Sequence, residues 1–135
     1  MITLNAPVRY FFRKPDKLKS RKQIEALFEK GERYTVFPLK VWWLHENEKT
    51  ILQAGVGVSS RYFKKAVDRN RIKRLMREAY RLQKEELTLA LTEKKGKLSV
   101  FILFTGKELP DYETVYETTG TVIKKLIHAV KQKAE

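Results

Sequence analysis

Lys65-Ala66-Val67-Asp68-Arg69-Asn70-Arg71-Ile72-Lys73-Arg74-Leu75-Met76-Arg77-Glu78-Ala79-Tyr80 is the stretch that organises the chain. At 100° per residue, Ile72, Leu75, Met76, Ala79 and Leu82 fall on one apolar stripe. Arg69, Asn70, Lys73, Arg74, Arg77, Arg81 and Lys84 fill the arc beyond it. The spacing predicts a helix over 68–87 with one face buried and the opposite face cationic. From Arg61 to Arg81 there are nine basic residues and two acidic ones, a net +7 out of +13 for the whole chain. Solvated helix faces usually mix signs, because like charges one turn apart destabilise a helix by a few tenths of a kcal/mol per pair. Glu78 falls near the border with Arg71, so the arc is expected to escape neutralisation by i, i+4 partners. Clustered arginines suit phosphate, since the planar guanidinium fork meets two phosphate oxygens at once. Asn70 can both donate and accept, which suits a ribose or a base edge. The first turn of the helix adds unsatisfied N–H groups that favour an anion.

Working outward, Ser20 to Lys30 reads as a helix. Ser20 and Gln23 form a capping box, Ile24, Leu27 and Phe28 share a face, and Gly31 ends it. Val36 to Leu44 reads as a strand, with Pro38 at an edge or at its start. Leu39, Val41 and Trp43 share one face, and Lys40, Trp42 and Leu44 the other; Trp43 is the tryptophan expected in the core. Residues 45–49 form a polar loop of hairpin length, and Ile51 to Val58 is the returning strand. Gly55 and Gly57 share a face of that strand, leaving room for a close neighbour. Leu98 to Thr105 is a nearly continuous apolar run, expected as a buried strand. Tyr112 to Lys133 steps by three and four through Val115, Tyr116, Thr119, Val122, Ile123, Leu126, Ile127 and Val130, a helix with Tyr112 and Tyr116 on its core stripe. Gly120 costs this helix up to ~1 kcal/mol relative to Ala and permits close packing. Residues 1–16, with Pro7 and Pro15, read as an extended arm, and 17–135 as the folded domain. The expected fold is α+β: a single-domain α-β-β-α-β-α sandwich with helices over a small mixed sheet.

Composition narrows the function. The 135 residues suit one domain. Hydrophobic residues make up 42% and aromatics 11%, too much for a disordered basic tail. There is no cysteine, which excludes disulfides, thiolate metal sites and a Cys nucleophile. No apolar run is long enough to span a membrane, and the first residues show no secretory signal. A small cytoplasmic domain with a large positive field is expected, and its natural partners are polyanions, nucleic acid ahead of an anionic membrane. His45 and His128 are isolated, and the carboxylates are scattered, so no hydrolytic constellation is evident. On the residues alone, a general or ribosomal RNA-binding module fits as well as a processing factor.

The stretch from Lys65 to Tyr80, with its Arg-Asn-Arg core, then Ile-Lys-Arg-Leu and a further Arg, resembles the signature of the bacterial ribonuclease P protein component. Leu18 through Gly31 is similar to that family's opening helix, Gly55 to Ser59 to its second strand, and Asp111 to Val130 to its final helix. The resemblance covers roughly residues 17–131. It implies a ribosomal protein S5 domain 2-like fold with a left-handed βαβ crossover, against the right-handed default. It implies a protein subunit that binds the catalytic ribonuclease P RNA and the 5′ leader of precursor tRNA. In that ribonucleoprotein endonuclease the RNA is the catalyst and requires Mg²⁺; no catalytic residue and no metal ligand is expected among the residues of this chain. No membrane and no stable protein partner are implied. Carried over by position, RNA contact falls on Lys64, Lys65, Arg69, Asn70, Arg71, Lys73, Arg74, Arg77 and Arg81. A leader-binding cleft falls on Ile24, Phe28, Lys40, Trp42, Ser60 and Arg61. Two departures accompany it: Ile24 stands where the family usually has Phe, and residues 60–65 lack the usual Gly and are one residue longer. A ribosomal or general RNA-binding module without a processing role is the alternative.

Overall fold

The apolar periodicities resolve into four helices and four strands in a computed structural model that describes residues 21–47 and 49–132. The expected arm and the Ser20 cap lie outside the described residues. In chain order the elements are α1 (Arg21–Lys30), β1 (Glu32–Val36), β2 (Leu39–Glu46), β3 (Ile51–Val58), α2 (Ala66–Gln83), α3 (Glu85–Lys94), β4 (Lys97–Phe104) and α4 (Tyr112–Gln132).

Three of these differ from the sequence expectation. The strand β1 is additional. Only Tyr34 and Val36 of its five residues are shielded from water, so it lacks the apolar face by which a strand announces itself. It turns at Phe37 and Pro38 into β2 and pairs with it antiparallel, Glu32 opposite Trp43 and Val36 opposite Leu39. Next, β2 and β3 do not form a hairpin. The sheet order is β1-β2-β4-β3, so β4 lies between them, antiparallel to β2 and parallel to β3. The centre goes to the strand that is apolar on both faces, and β4 carries Leu98, Val100, Ile102 and Phe104 on one face and Phe101 and Leu103 on the other. A parallel β3–β4 pair needs a long crossover, which α2 and α3 provide. Finally, the helix expected over 68–87 is two helices meeting at Lys84, the second continuing to Lys94 with Leu87, Ala90 and Leu91 buried. Gly96, at φ 118°, then turns the chain into β4, close against the ring of buried His45.

The pleat gives the sheet two unlike faces. Leu39, Val41, Ala54, Leu98, Val100, Ile102 and Phe104 meet Ile72, Met76, Ala79 and Tyr80 of α2, Leu87 and Leu91 of α3, and Val115, Val122, Leu126 and Val130 of α4 in one core. Trp43 packs against it, as expected. Gln83 ties α2 to α4 by donating to the carbonyls of Ala79 at 3.1 Å and Tyr116 at 2.9 Å. A Cβ on Gly120 would come within 2.7 Å of that amide oxygen, so the glycine permits the helices' close approach. Asp111 caps α4, accepting from the Thr114 N–H at 2.8 Å, and these bonds hold its carboxyl below the ordinary carboxylate range. Among the described residues, the other face of the sheet carries only α1, which lies across β2 and β4.

Candidate nucleic-acid interface

The cationic helix is built by the stripe beneath it. Ile72, Met76, Ala79 and Tyr80 are buried, which turns the opposite arc of α2 to solvent. Lys64 and Lys65 are exposed immediately before the helix, and Asn70, Arg71, Arg74 and Arg77 are exposed along it, with Lys73 half-buried. Among the described residues, no carboxylate lies within ion-pair distance of Arg71, Lys73, Arg74 or Arg77. Asn70 to Arg77 spans about 10 Å of helix at 1.5 Å per residue.

Two members of the arc have structural duties. One terminal nitrogen of the Arg69 guanidinium donates to the carbonyls of Phe63 and Lys64, both at 2.8 Å. It thereby closes the loop onto a helix whose N-cap, Lys65, makes no side-chain cap bond. Arg81 is paired with Glu78: its Nη2 donates to Oε2 at 2.7 Å and its Nε to Oε1 at 3.2 Å. That hydrogen bond raises the Arg81 pKa further. The expectation that Glu78 would leave the arc unneutralised is therefore corrected at i, i+3: the pair uses the three-residue spacing, which also brings side chains together on a helix.

On the opposite side of the sheet, α1 and the outer pleat of β2 and β4 assemble an aromatic cluster. The Phe28 and Trp42 rings lie 4.7 Å apart, Phe28 and Phe101 5.6 Å, and Trp42 and Phe101 6.4 Å. Phe28 keeps 45% of its surface in solvent, more than a core role allows. Ile24 sits half-buried one turn earlier on α1, and the Lys40 ammonium stands 5.6 Å from the centre of the Trp42 ring. Phe101 is the member that sequence reasoning missed. Its run is apolar at almost every position, which hides the alternation that would have turned it away from Ile102. The bare face of β3 was the available clue: a Cβ on Gly57 would come within 2.8 Å of the Phe101 ring.

The connection from β3 to α2 joins the two surfaces. The Ser59 N–H donates to the Phe104 carbonyl at 3.1 Å, and Phe63 is buried against Phe104 with ring centres 6.0 Å apart. Between these anchors Ser60, Arg61 and Tyr62 are exposed. Arg61 donates its N–H to the Ser59 hydroxyl at 3.3 Å, and its guanidinium lies 5.5 Å from the Tyr62 ring centre. Lys107, a second residue missed in the sequence, stands 5.7 Å from the same ring. The register pairs Trp42 with Phe101 and Lys40 with Leu103, and brings Leu39 opposite Phe104, whose carbonyl meets Ser59. Cations therefore follow one another from the aromatic cluster toward the start of α2.

Elsewhere, His45 is buried, with its Nε2 3.0 Å from the Lys95 carbonyl oxygen. Tyr116 is 38% exposed at the rim of α4 rather than in its core stripe, with the half-buried Tyr112 ring 5.8 Å away. Among the described residues, no three His, Asp or Glu side chains come together as a metal site, and no helix is long and apolar enough to cross a membrane.

A small α+β domain with a cationic helix on one side of its sheet and an aromatic face on the other fits the class of RNA-binding proteins. The Ribonuclease P family pattern matches residues 12–127, and the chain belongs to that family. The ribonuclease P protein component of Porphyromonas gingivalis strain W83 is 34% identical over 114 residues, covering 83% of each chain. That of Chlorobium phaeobacteroides is 31% identical over 131 residues, covering 88% of this chain and 87% of the other. Among solved structures, the ribonuclease P protein of Staphylococcus aureus superposes with a TM-score of 0.67 at 18% identity, covering 83% of this chain and 95% of that one. The chain is thus a protein component of a ribonucleoprotein endoribonuclease, and none of these likenesses favours a general RNA-binding module.

Proposed function

We propose that the protein binds the catalytic RNA of ribonuclease P through α2 and takes the single-stranded 5′ leader of precursor tRNA on the aromatic face of its sheet. The observation that carries this reading is the half-open Phe28, Trp42 and Phe101 cluster. It is followed by Lys40, Arg61 and Lys107 toward the end of the sheet where the cationic helix begins. Asn70, Arg71, Lys73, Arg74 and Arg77 neutralise phosphates of the catalytic RNA, with Lys64 and Lys65 at the helix start. Arg69 and Arg81 serve mainly by holding the loop and the helix surface in shape. Rings that stack on bases contribute about 1–3 kcal/mol per base without selecting its identity, which suits a component that must accept many leaders. Phe101 adds a third ring to the platform beside Phe28 and Trp42, where Ile24 supplies none.

The protein contributes affinity and position, while the Mg²⁺-dependent cleavage is assigned to the RNA. Neutralising RNA charge reduces the magnesium needed to hold enzyme and substrate RNA together. The same reading assigns the protein to the cytoplasm, where tRNA is matured. The test is the affinity of the reconstituted holoenzyme for precursor and mature tRNA. Wild type is expected to prefer the precursor, and Phe28→Ala with Trp42→Ala to lose about thirtyfold or more of that preference, since two lost stacking contacts of at least about 1 kcal/mol each sum to about 2 kcal/mol. An unchanged preference in the double variant would overturn the leader assignment.

A further inference from the structure

The edge of the sheet farthest from α2 carries a second concave surface. α4 crosses β1 and β2 there, leaving an open groove of about 580 Å³. Its floor is aromatic: Trp43, half-buried, and Tyr34, whose hydroxyl donates to the Val122 carbonyl at 2.9 Å and so fixes the ring against α4. Its walls are cationic. Lys124, Lys125 and His128 project from one face of α4, with Lys125 5.8 Å from the Tyr34 ring centre, and Arg33 lines the β1 side. Glu32 is the one carboxylate in the lining, against three permanent cations.

Lys124, Lys125 and His128 stand exposed on one side of α4, beside the part of this sheet face where Trp43 is left half-open. The volume falls within the range of small-ligand clefts, but the groove is open along its length and flanked by β1, an edge strand, so it suits an extended chain. A chain with anionic links and flat apolar units satisfies both floor and walls. We propose that the groove between β1 and α4 binds a single-stranded RNA segment, with a base on Trp43 and phosphates at Lys124, Lys125 and Arg33. β1 and β3 are opposite edges of a four-stranded sheet, roughly 14 Å apart at the usual strand spacing. The groove thus lies at the opposite sheet edge from β3, against which α2 packs, and the proposal does not depend on the leader assignment.

The experiment uses the full chain with Trp42→Phe, which leaves Trp43 as its only tryptophan. Titration with a short oligouridylate is expected to quench Trp43 fluorescence. Adding Lys124→Glu and Lys125→Glu is expected to raise the half-saturating concentration at least fivefold, and Lys124→Arg with Lys125→Arg to restore it. Arg71→Ala with Arg74→Ala, which weakens the α2 surface, is expected to leave this quenching in place. Absence of quenching would overturn the proposal. So would quenching abolished by the Arg71 and Arg74 pair instead, equal quenching by inorganic polyphosphate, or the same fivefold loss when the charges are reversed at Lys49 and Lys95.

Discussion

Arg69, Arg71 and Arg81 carry the same charge on the same helix, and the structure gives them different work. Arg69 holds two carbonyls of the preceding loop, and hydrogen bonds from a charged donor contribute about 1.5–3 kcal/mol when well formed. At this half-exposed position the lower end applies, so Arg69→Ala is expected to cost about 1–2 kcal/mol in urea unfolding and to weaken RNA binding as the loop loosens. Arg71→Ala, with no hydrogen bond or ion pair to lose among the described residues, is expected to weaken RNA binding at unchanged stability. Equal unfolding midpoints for the two variants would contradict this division. Arg81 is occupied by Glu78. If about six phosphates are contacted, the logarithm of the RNA affinity should fall with the logarithm of salt at a slope of roughly −4 to −5, and Glu78→Gln should steepen it by about 0.7 to 0.9 by releasing Arg81. A slope near zero would remove the phosphate-binding role of α2, and an unchanged slope in Glu78→Gln would remove Arg81 from the surface RNA can reach. The positions of these arginines on the helix were legible from spacing alone. Their partners were not, because an i, i+3 pair and a side chain reaching back six residues into a loop depend on rotamers and loop path, which periodicity does not encode.

At the scale of elements, the aromatic platform depends on a residue with no side chain. Gly57 of β3 makes room for Phe101 of β4, which in turn supports Phe28 and Trp42. Gly57→Ala brings a methyl group to within 2.8 Å of a ring that already neighbours Phe28 and Trp42, and overpacking of this kind costs typically about 1–3 kcal/mol. The variant is expected to lower the midpoint of thermal unfolding and to reduce the preference for precursor over mature tRNA, with RNA binding through α2 retained. A wild-type melting curve for Gly57→Ala would show that Phe101 moves aside freely. The glycine-bearing face of β3 was visible in the sequence as a place for a close neighbour, but the neighbour was not, since it comes from a strand more than forty residues later. Strand β1 escaped for a different reason. Its residues are mostly exposed at the sheet edge, and it is held by pairing with β2 rather than by an apolar face of its own. The join at Lys84 escaped because apolar residues continue past it in helical rhythm, so the pattern reads as one longer helix.

For the molecule as a whole, function follows from the order β1-β2-β4-β3. Placing β4 in the centre puts Phe101 beside Trp42, sends α2 and α3 over one face, and sets α1 on the other. A β2–β3 hairpin would have separated Trp42 from Phe101 and dispersed the platform. Charge and periodicity made the cationic helix, the core and the α+β class legible from the chain alone. The strand order is a matter of long-range pairing and came only with the structure. The central claim is that a cationic helix and an aromatic face together raise the performance of an RNA catalyst. Its most direct test is cleavage of precursor tRNA by a ribonuclease P RNA with this protein at low magnesium, wild type against a folded Arg71→Ala, Arg74→Ala and Arg77→Ala variant. The wild type is expected to stimulate cleavage strongly and the variant at least tenfold less, the difference closing as magnesium is raised. Equal stimulation by the two proteins, or none by the wild type despite tight RNA binding, would contradict the account.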